Sequence, residues 1–144
     1  MRSFEESRII TCTARQMYDI VLDIDAYAEF LPWVADSKVL SQSDGELTAE
    51  LVADLAGVKH AFKTVDRYVP NKLVEIRLLE GPFRFLESIW TFDDQDDGRC
   101  KVHFSIEFEF RSMMLDMVAS PIFATACKSM VQSFEKRAME LKCI

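Results

Sequence analysis

The chain has 144 residues, of which 49% are hydrophobic and 28% charged, and its formal net charge at pH 7 is −7. This length and composition predict a single folded domain, residues 1–144, and no apolar run approaches the roughly 18 residues that a membrane-spanning helix requires. The excess of acidic residues opposes direct binding to DNA or other nucleic acid, because phosphate binding depends on Lys and Arg.

The N-terminus and the cysteines favour a reducing compartment. Glu5, Glu6 and Arg8 stand where a signal peptide would need an apolar stretch. No cysteine pair has C-x-x-C spacing, and none has metal-type spacing with His60 or His103, so free thiols and no metal site are expected. The cysteines concerned are Cys12, Cys100, Cys127 and Cys143.

The first elements predicted are a strand and two short helices. Residues 3–11 alternate in part and indicate a strand. Thr13 followed by Gln16 is typical of a capping box, and apolar residues at helical spacing predict a helix over residues 14–23. A second short helix or turn, residues 26–30, ends before Pro32, because the residue preceding a proline is disfavoured in the helical region.

From residue 34 to residue 110 the apolar pattern has a period of two, which predicts strands with one buried face. The strands are delimited at residues 47–55, 59–69, 73–80, 84–93 and 99–111. Turn signals containing Gly45, Asn71, Gly81 and Gly98 make the connections short, and short connections favour antiparallel hairpins. The clearest strand is the last, where one face carries Cys100, Val102, Phe104, Ile106, Phe108 and Phe110.

The pattern of residues 112–141 predicts a long helix with apolar residues distributed around much of its surface. An ordinary amphipathic helix has a single apolar stripe. Four of the seven methionines lie there before Val131. Two interpretations stay open: plain core packing, or a surface that accepts a ligand or a membrane. Pro121 is expected to kink or break the helix, and the helix proper is expected to begin near it. The proline then either acts as a gate or simply marks the start of the helix.

The order of these elements predicts an α+β fold in which the C-terminal helix covers a curved antiparallel sheet. Two stretches and a closing segment add detail: Tyr-Ala-Glu-Phe-Leu-Pro-Trp at 27–33, Gly-Pro-Phe-Arg-Phe-Leu-Glu at 81–87 leading into Ile-Trp-Thr-Phe at 89–92, and Ser-Phe-Glu-Lys-Arg-Ala at 133–138. The whole chain resembles the helix-grip fold of the START-like superfamily, also called polyketide cyclase or Bet v 1-like. The motifs resemble its coenzyme Q-binding protein branch, which includes ribosome-association toxins.

This resemblance implies a cavity between the sheet and the C-terminal helix that binds a ubiquinone-like isoprenoid quinone or another lipid. It implies a quinone chaperone that supports respiratory electron transport and ubiquinone biosynthesis, with a cytoplasmic location and peripheral contact with the inner face of the respiratory membrane. No cofactor is implied apart from this ligand. One alternative is a ribosome-associated protein that interferes with subunit joining. Another is a cyclase or hydrolase acting on an aromatic or polyketide-like substrate, which requires a buried polar residue pointing into the cavity.

The residue pattern allows such a cavity. Small side chains at Ala49, Ala53 and Ala61, assigned to the inward face, would leave volume for a ligand. The alternative is that the aromatic side chains of the inner face, Phe62, Trp90, Phe92 and Phe104, fill it completely. The candidate ligand-binding residues are Phe30, Leu31, Pro32, Trp33, Leu51, Ala53, Phe62, Phe83, Trp90, Phe104, Met117, Val118, Ile122 and Met130.

The remaining motifs have structural and functional interpretations. Residues 30–33 form either a portal that contacts a membrane or a lid packed on the sheet edge. Residues 81–83 indicate a turn, with Phe83 near the cavity mouth. His103 falls on a polar face and His60 on another strand, and no hydrolase, Walker or dinucleotide motif occurs. We therefore expect a binding protein without catalytic residues.

Overall fold

The computed structural model describes residues 1–141 and contains seven strands, three α-helices and a 3₁₀ helix in that range. The elements are β1 (Arg2–Ile10), α1 (Ala14–Leu22), the 3₁₀ helix (Ile24–Glu29), β2 (Val34–Ser43), β3 (Glu46–Leu55), β4 (Val58–Val69), β5 (Leu73–Glu80), β6 (Phe83–Asp94), β7 (Cys100–Phe110), α2 (Met113–Lys128) and α3 (Met130–Glu140). Among these residues no single helix is long and apolar enough to cross a membrane, and only α2 and α3 taken together, bent by 47°, reach that length and composition.

The strands form one antiparallel sheet in the order β1-β7-β6-β5-β4-β3-β2. Helix α2 contacts β1 and β7 and also β3, although β6, β5 and β4 lie between them in the sheet. One helix can touch both groups of strands only if the sheet curves around it. The predicted helix-grip arrangement is confirmed, with the covering helix divided into two.

Two details of the sheet differ from the sequence prediction. The sequence pattern did not give the bounds of β2. This edge strand has two register shifts, and only Val34 and Ser37 are buried, so its apolar alternation is weak. The sequence prediction assigned Ala61 to the inward face, but Ala61 is exposed. The residues of β4 that face inward are Phe62 and those at alternate positions after it, so its neighbour Ala61 faces outward. Ala49 and Ala53 do lie on the buried face of β3.

Local signals account for the N-terminal helix and for one tight turn. The Thr13 side chain accepts from the backbone of Gln16, whose side chain accepts from the backbone of Thr13, so the predicted capping box is confirmed. Gly81 has φ +150°, and a Cβ built there would lie 2.5 Å from Cβ of Phe62. The turn between β5 and β6 therefore requires glycine, because the backbone approaches Phe62 too closely for any side chain.

Pro121 does not break the C-terminal helix, and the helix begins at Met113 rather than near Pro121, so these two parts of the prediction are wrong. The proline lies within the continuous helix α2, and the break comes at Ser129. Pro121 is exposed, so the carbonyl that lacks its N–H partner can face water at little cost. At Ser129 the backbone N–H instead donates to the carbonyls of Ala126 and Cys127, which closes α2 before α3 turns away.

The expectation of free thiols is wrong for Cys12. Cys12 is disulfide-bonded. Cys100 and Cys127 are buried free thiols, and burial raises the pKa of Cys100 to about 11 and that of Cys127 to about 12. These two residues are therefore apolar packing groups rather than reactive thiolates. Cys143 lies outside the described residues.

Candidate functional site

A cavity of about 70 Å³ lies between the inner face of the sheet, the 3₁₀ helix and the two C-terminal helices. Most of its lining is apolar, and the sheet, α2 and α3 all contribute aromatic rings. Sequence-predicted residues that line it are Leu31, Trp33, Leu51, Phe62, Trp90, Phe104 and Met130. The structure thus brings together candidates from the loop before β2, from four strands and from α3.

Aromatic side chains of the cavity lining pack against one another. Trp90 lies with its ring centroid 4.6 Å from that of Phe104 and 4.9 Å from that of Phe134. The ring centroid of Phe123 in α2 lies 5.5 Å from that of Trp33. Ligand pockets usually measure about 300–1,000 Å³, so a ring-sized guest requires some of these side chains to move.

The otherwise apolar lining of the cavity includes three polar residues. Asp66 and Thr64 of β4 and Ser88 of β6 line it, and their residues are 3%, 2% and 7% exposed. The Thr64 hydroxyl donates to Oδ1 of Asp66 at 2.8 Å. Ser88 Oγ is buried without a hydrogen-bond partner among residues 1–141. A buried hydroxyl left unpaired costs free energy, which makes Ser88 an unused donor inside the cavity.

The electrostatic state of Asp66 follows from its burial. Removal from water raises the pKa of its carboxyl from 3.8 to about 7, although the hydrogen bond from Thr64 acts in the opposite direction. Tyr27 of the 3₁₀ helix is fully buried, and burial followed by the charge of Asp66 holds its pKa well above the ordinary value. The Tyr27 hydroxyl donates to the carbonyl of Val21. Near neutral pH, Asp66 can therefore be either a hydrogen-bond donor or an acceptor.

The other predicted residues lie outside the lining, and ligand contact by them remains a prediction. Ala53 and Phe83 are buried in the core. Phe30 is half-buried, with its ring 5.0 Å from that of Phe134 and the Arg137 guanidinium 5.2 Å above it, so Phe30 packs against α3. Pro32 is exposed.

The remaining three candidates belong to an exposed apolar face of α2, which we call the methionine surface and which comprises Met113, Met114, Met117, Val118 and Ile122. Its three methionines are 84%, 77% and 76% exposed. Beside it runs a groove of about 260 Å³ between α2 and the β3–β4 hairpin, which Val118 and Met114 line together with Val58 and His60. The surface is an apolar patch that the described residues do not cover.

His103 has the surface position that the sequence predicts. Its Nδ1 lies 2.5 Å from the Ser7 hydroxyl, and its Nε2 lies 3.4 Å from a carboxylate oxygen of Glu5. These contacts are on the outer side of the sheet, on the opposite face from the cavity. The two histidines do not meet, because His60 lies in the groove beside α2.

Sequence reasoning missed the polar residues of the cavity lining, although a signal for them was present. Thr64 and Asp66 share the phase of Phe62 in β4, and Ser88 shares the phase of Leu86 and Trp90 in β6. In a strand whose residues alternate between apolar and polar, a polar residue at an inward position indicates either a buried hydrogen-bond network or a binding site. These three residues also supply the buried polar residue that the cyclase or hydrolase alternative requires.

The chain is similar in sequence and in fold to several known proteins. Residues 10–135 match the family described as polyketide cyclase/dehydrase and lipid transport. The chain is 33% identical over 141 residues to the ribosome association toxin RatA of Vibrio cholerae, with 98% of each covered. It is 35% identical over 139 residues to the mitochondrial coenzyme Q-binding protein COQ10 homolog B of Xenopus laevis, covering 94% of this chain and 57% of that protein. A START superfamily protein from Mycobacterium smegmatis shares the fold, with a TM-score of 0.80, 18% identity, and coverage of 97% of this chain and 99% of that one.

Proposed function

The chain belongs to the polyketide cyclase/dehydrase and lipid transport family, and we propose that it binds a ubiquinone-like isoprenoid quinone between its sheet and its C-terminal helices. In this proposal the protein is a chaperone without catalytic activity, and it supports respiratory electron transport and ubiquinone biosynthesis. The observation that carries the proposal is an aromatic cavity whose lining includes a few buried polar residues. Similarity to the coenzyme Q-binding relative over 94% of the chain supports it.

Burial of apolar surface would drive this binding. At about 25 cal/mol per Å², a few hundred Å² of isoprenoid surface contributes several kcal/mol. A quinone ring does not fit into about 70 Å³, so side chains of the lining must move on binding. Met130 is suited to this, because methionine is unbranched and adapts its shape.

The methionine surface provides a route by which such a ligand could be exchanged with a bilayer. Phe123 on the inner side of α2 lines the cavity, while Met117 on the same helix is 76% exposed. One helix thus separates the ligand site from an apolar surface. We propose that this surface contacts the respiratory membrane peripherally, from the cytoplasm.

Organic extraction followed by mass spectrometry tests the proposal. The natively purified protein, made in a host that synthesises ubiquinone, is expected to carry near-stoichiometric quinone. Leu51→Phe adds a ring to the cavity lining and is expected to lower the quinone content, whereas Val69→Phe at an exposed strand end should not. An empty wild-type extract, repeated after incubation with quinone-containing vesicles, would contradict the proposal.

A second candidate is association with the ribosome. It is favoured by the 33% identity to a ribosome association toxin, which extends over 98% of both chains. The net charge of −7 disfavours direct contact with RNA, so the proposed contact is with ribosomal protein. Co-sedimentation with separated subunits at low and high salt tests this candidate, and absence of co-sedimentation at low salt would remove it.

A further inference from the structure

Asp66 and Ser88 lie on either side of one residue in the sheet. Asp66 of β4 pairs with Ile76 of β5, and Ile76 pairs in turn with Ser88 of β6. The two polar residues are therefore two strand spacings apart, which is about 10 Å between backbones. Both side chains line the same cavity, so they face a guest molecule from two positions across its floor.

The surroundings decide which guest this pair suits. The groups near Asp66 are the Thr64 hydroxyl, on its own strand, and the buried Tyr27 phenol of the 3₁₀ helix. The helices that cover the cavity contribute Phe123 from α2 and Phe134 from α3. Of the charged side chains of α3, Glu135 pairs with Arg8 at 2.8 Å and Arg137 with Glu29 at 3.1 Å. The other two, Lys136 and Glu140, are exposed to water. An apolar cavity of this kind favours a neutral guest.

We propose that Asp66 and Ser88 form a head-group site for a neutral ring that carries oxygen substituents at opposite positions, and that this site accepts both the carbonyl and the hydroxyl form of the ring. The inference rests on the proposed function, which supplies the class of ligand. A protonated Asp66 donates a hydrogen bond to a carbonyl oxygen, whereas an ionised Asp66 accepts one from a hydroxyl. The Ser88 hydroxyl can donate or accept, so it serves either form.

The site should therefore distinguish the two forms by pH. The pKa of Asp66 is about 7 in the free protein, so the fraction that can donate falls steeply between pH 6 and pH 8. If only the protonated form binds the carbonyl ring, its apparent affinity drops about tenfold over that interval. Binding of the hydroxyl ring should not weaken, because the ionised carboxylate accepts its hydrogen bond.

Three ring compounds of matched shape test the site: duroquinone, durohydroquinone and durene, which carry carbonyl groups, hydroxyl groups and hydrogens at the same two positions. Binding is followed by ¹H–¹⁵N NMR on the indole signals of Trp33 and Trp90, the two tryptophans of the chain, since both line the cavity. We expect duroquinone to lose about tenfold in affinity from pH 6 to pH 8, durohydroquinone not to weaken, and durene to be independent of pH.

Variants assign the effect to the two residues. Asp66→Asn retains a donor and an acceptor but cannot titrate, so the pH dependence of duroquinone binding should disappear. Ser88→Ala removes one donor and should weaken duroquinone binding about fivefold without affecting durene. Ser105→Ala, on the outer face of β7, is the matched control and should change neither. The ¹³C signal of the Asp66 carboxyl in the unliganded wild type should titrate near pH 7, which checks the proton without any variant.

The outcomes separate this inference from the proposed function. Equal binding of all three rings, independent of pH, would overturn the head-group site and leave lipid binding intact. An Asp66→Asn protein with the pH profile of the wild type would overturn the role of Asp66. If none of the rings shifts either indole signal and vesicle-borne quinone is not taken up, the proposed function and this inference are both overturned.

Discussion

Helices α2 and α3 are consecutive parts of one C-terminal segment, but they use apolar residues differently. In α3, Met130, Val131 and Phe134 are buried on one face, as in an ordinary amphipathic helix. In α2, Phe123 is buried, yet Met114 and Met117 on the opposite side are exposed. Core packing therefore accounts for the apolar residues of α3, whereas α2 carries an apolar surface in excess of what the core needs. Contact of that surface with a ligand or a membrane remains a prediction.

Removing the central ring of α3 should have the largest effect. Phe134 is 1% exposed and contacts the rings of Tyr27, Phe30 and Trp90. Phe134→Ala should lower the free energy of unfolding by about 3–5 kcal/mol, because it leaves a cavity in a packed core. Met117→Ala in α2 should change it by less than about 0.5 kcal/mol. Urea denaturation measures both, and equal losses would contradict the contrast between the helices.

The cavity that α2 and α3 cover should also make stability depend on pH. The folded-state pKa of Asp66 is about 7, above the 3.8 of an unperturbed carboxyl. The folded protein therefore keeps a proton that the unfolded chain has lost, and this stabilisation is complete below about pH 4 and is lost as pH rises towards 7. From pH 5 to pH 8 we expect a loss of about 3 kcal/mol from this group. Asp66→Asn should remove that slope, and urea denaturation at each pH measures it.

The methionine surface can be compared directly with α3 through two exposed methionines. Met117 of α2 is 76% exposed and Met139 of α3 is 39% exposed. If α2 contacts the bilayer, Met117→Ala should weaken partitioning into vesicles about tenfold, since about 1.5 kcal/mol of apolar burial is lost. Met139→Ala serves as the matched control and should not change it. Flotation assays measure both variants, and identical behaviour would argue against an oriented contact.

The smallest effect concerns the floor of the cavity that the two helices cover. Ser88→Ala removes an unpaired buried hydroxyl and should raise the free energy of unfolding by about 1 kcal/mol. Ser37→Ala removes a buried hydroxyl that donates to the carbonyl of Ile24 at 2.7 Å, so it should lower stability by a similar amount. A loss of stability in both variants would mean that Ser88 is already paired in the free protein.

Much of the fold could be predicted because its signals are local. The alternation of β3 and β7 and the capping box at Thr13 depend on neighbouring residues alone. The break at Ser129 could not be predicted, because it depends on how the C-terminal segment packs in the folded protein and not on its neighbouring residues. Pro121, which is the local signal for a break, lies on the exposed side of a continuous helix.

The candidate site was predicted only in its apolar part. Leu51, Phe62 and Trp90 follow from hydrophobic alternation. Asp66 was missed because a carboxyl at an inward position counts as an exception to that alternation, and its burial depends on helices that close over it from distant parts of the chain.

The small volume of the cavity also has a consequence for the rate of ligand exchange. A space of about 70 Å³ cannot admit a ring until the aromatic lining opens, so opening precedes uptake. The observed uptake rate in a stopped-flow experiment should therefore rise with ligand concentration and then level off at the opening rate. Release should be limited by the same step, which gives the loaded protein a lifetime set by its own side chains rather than by the length of the ligand's tail.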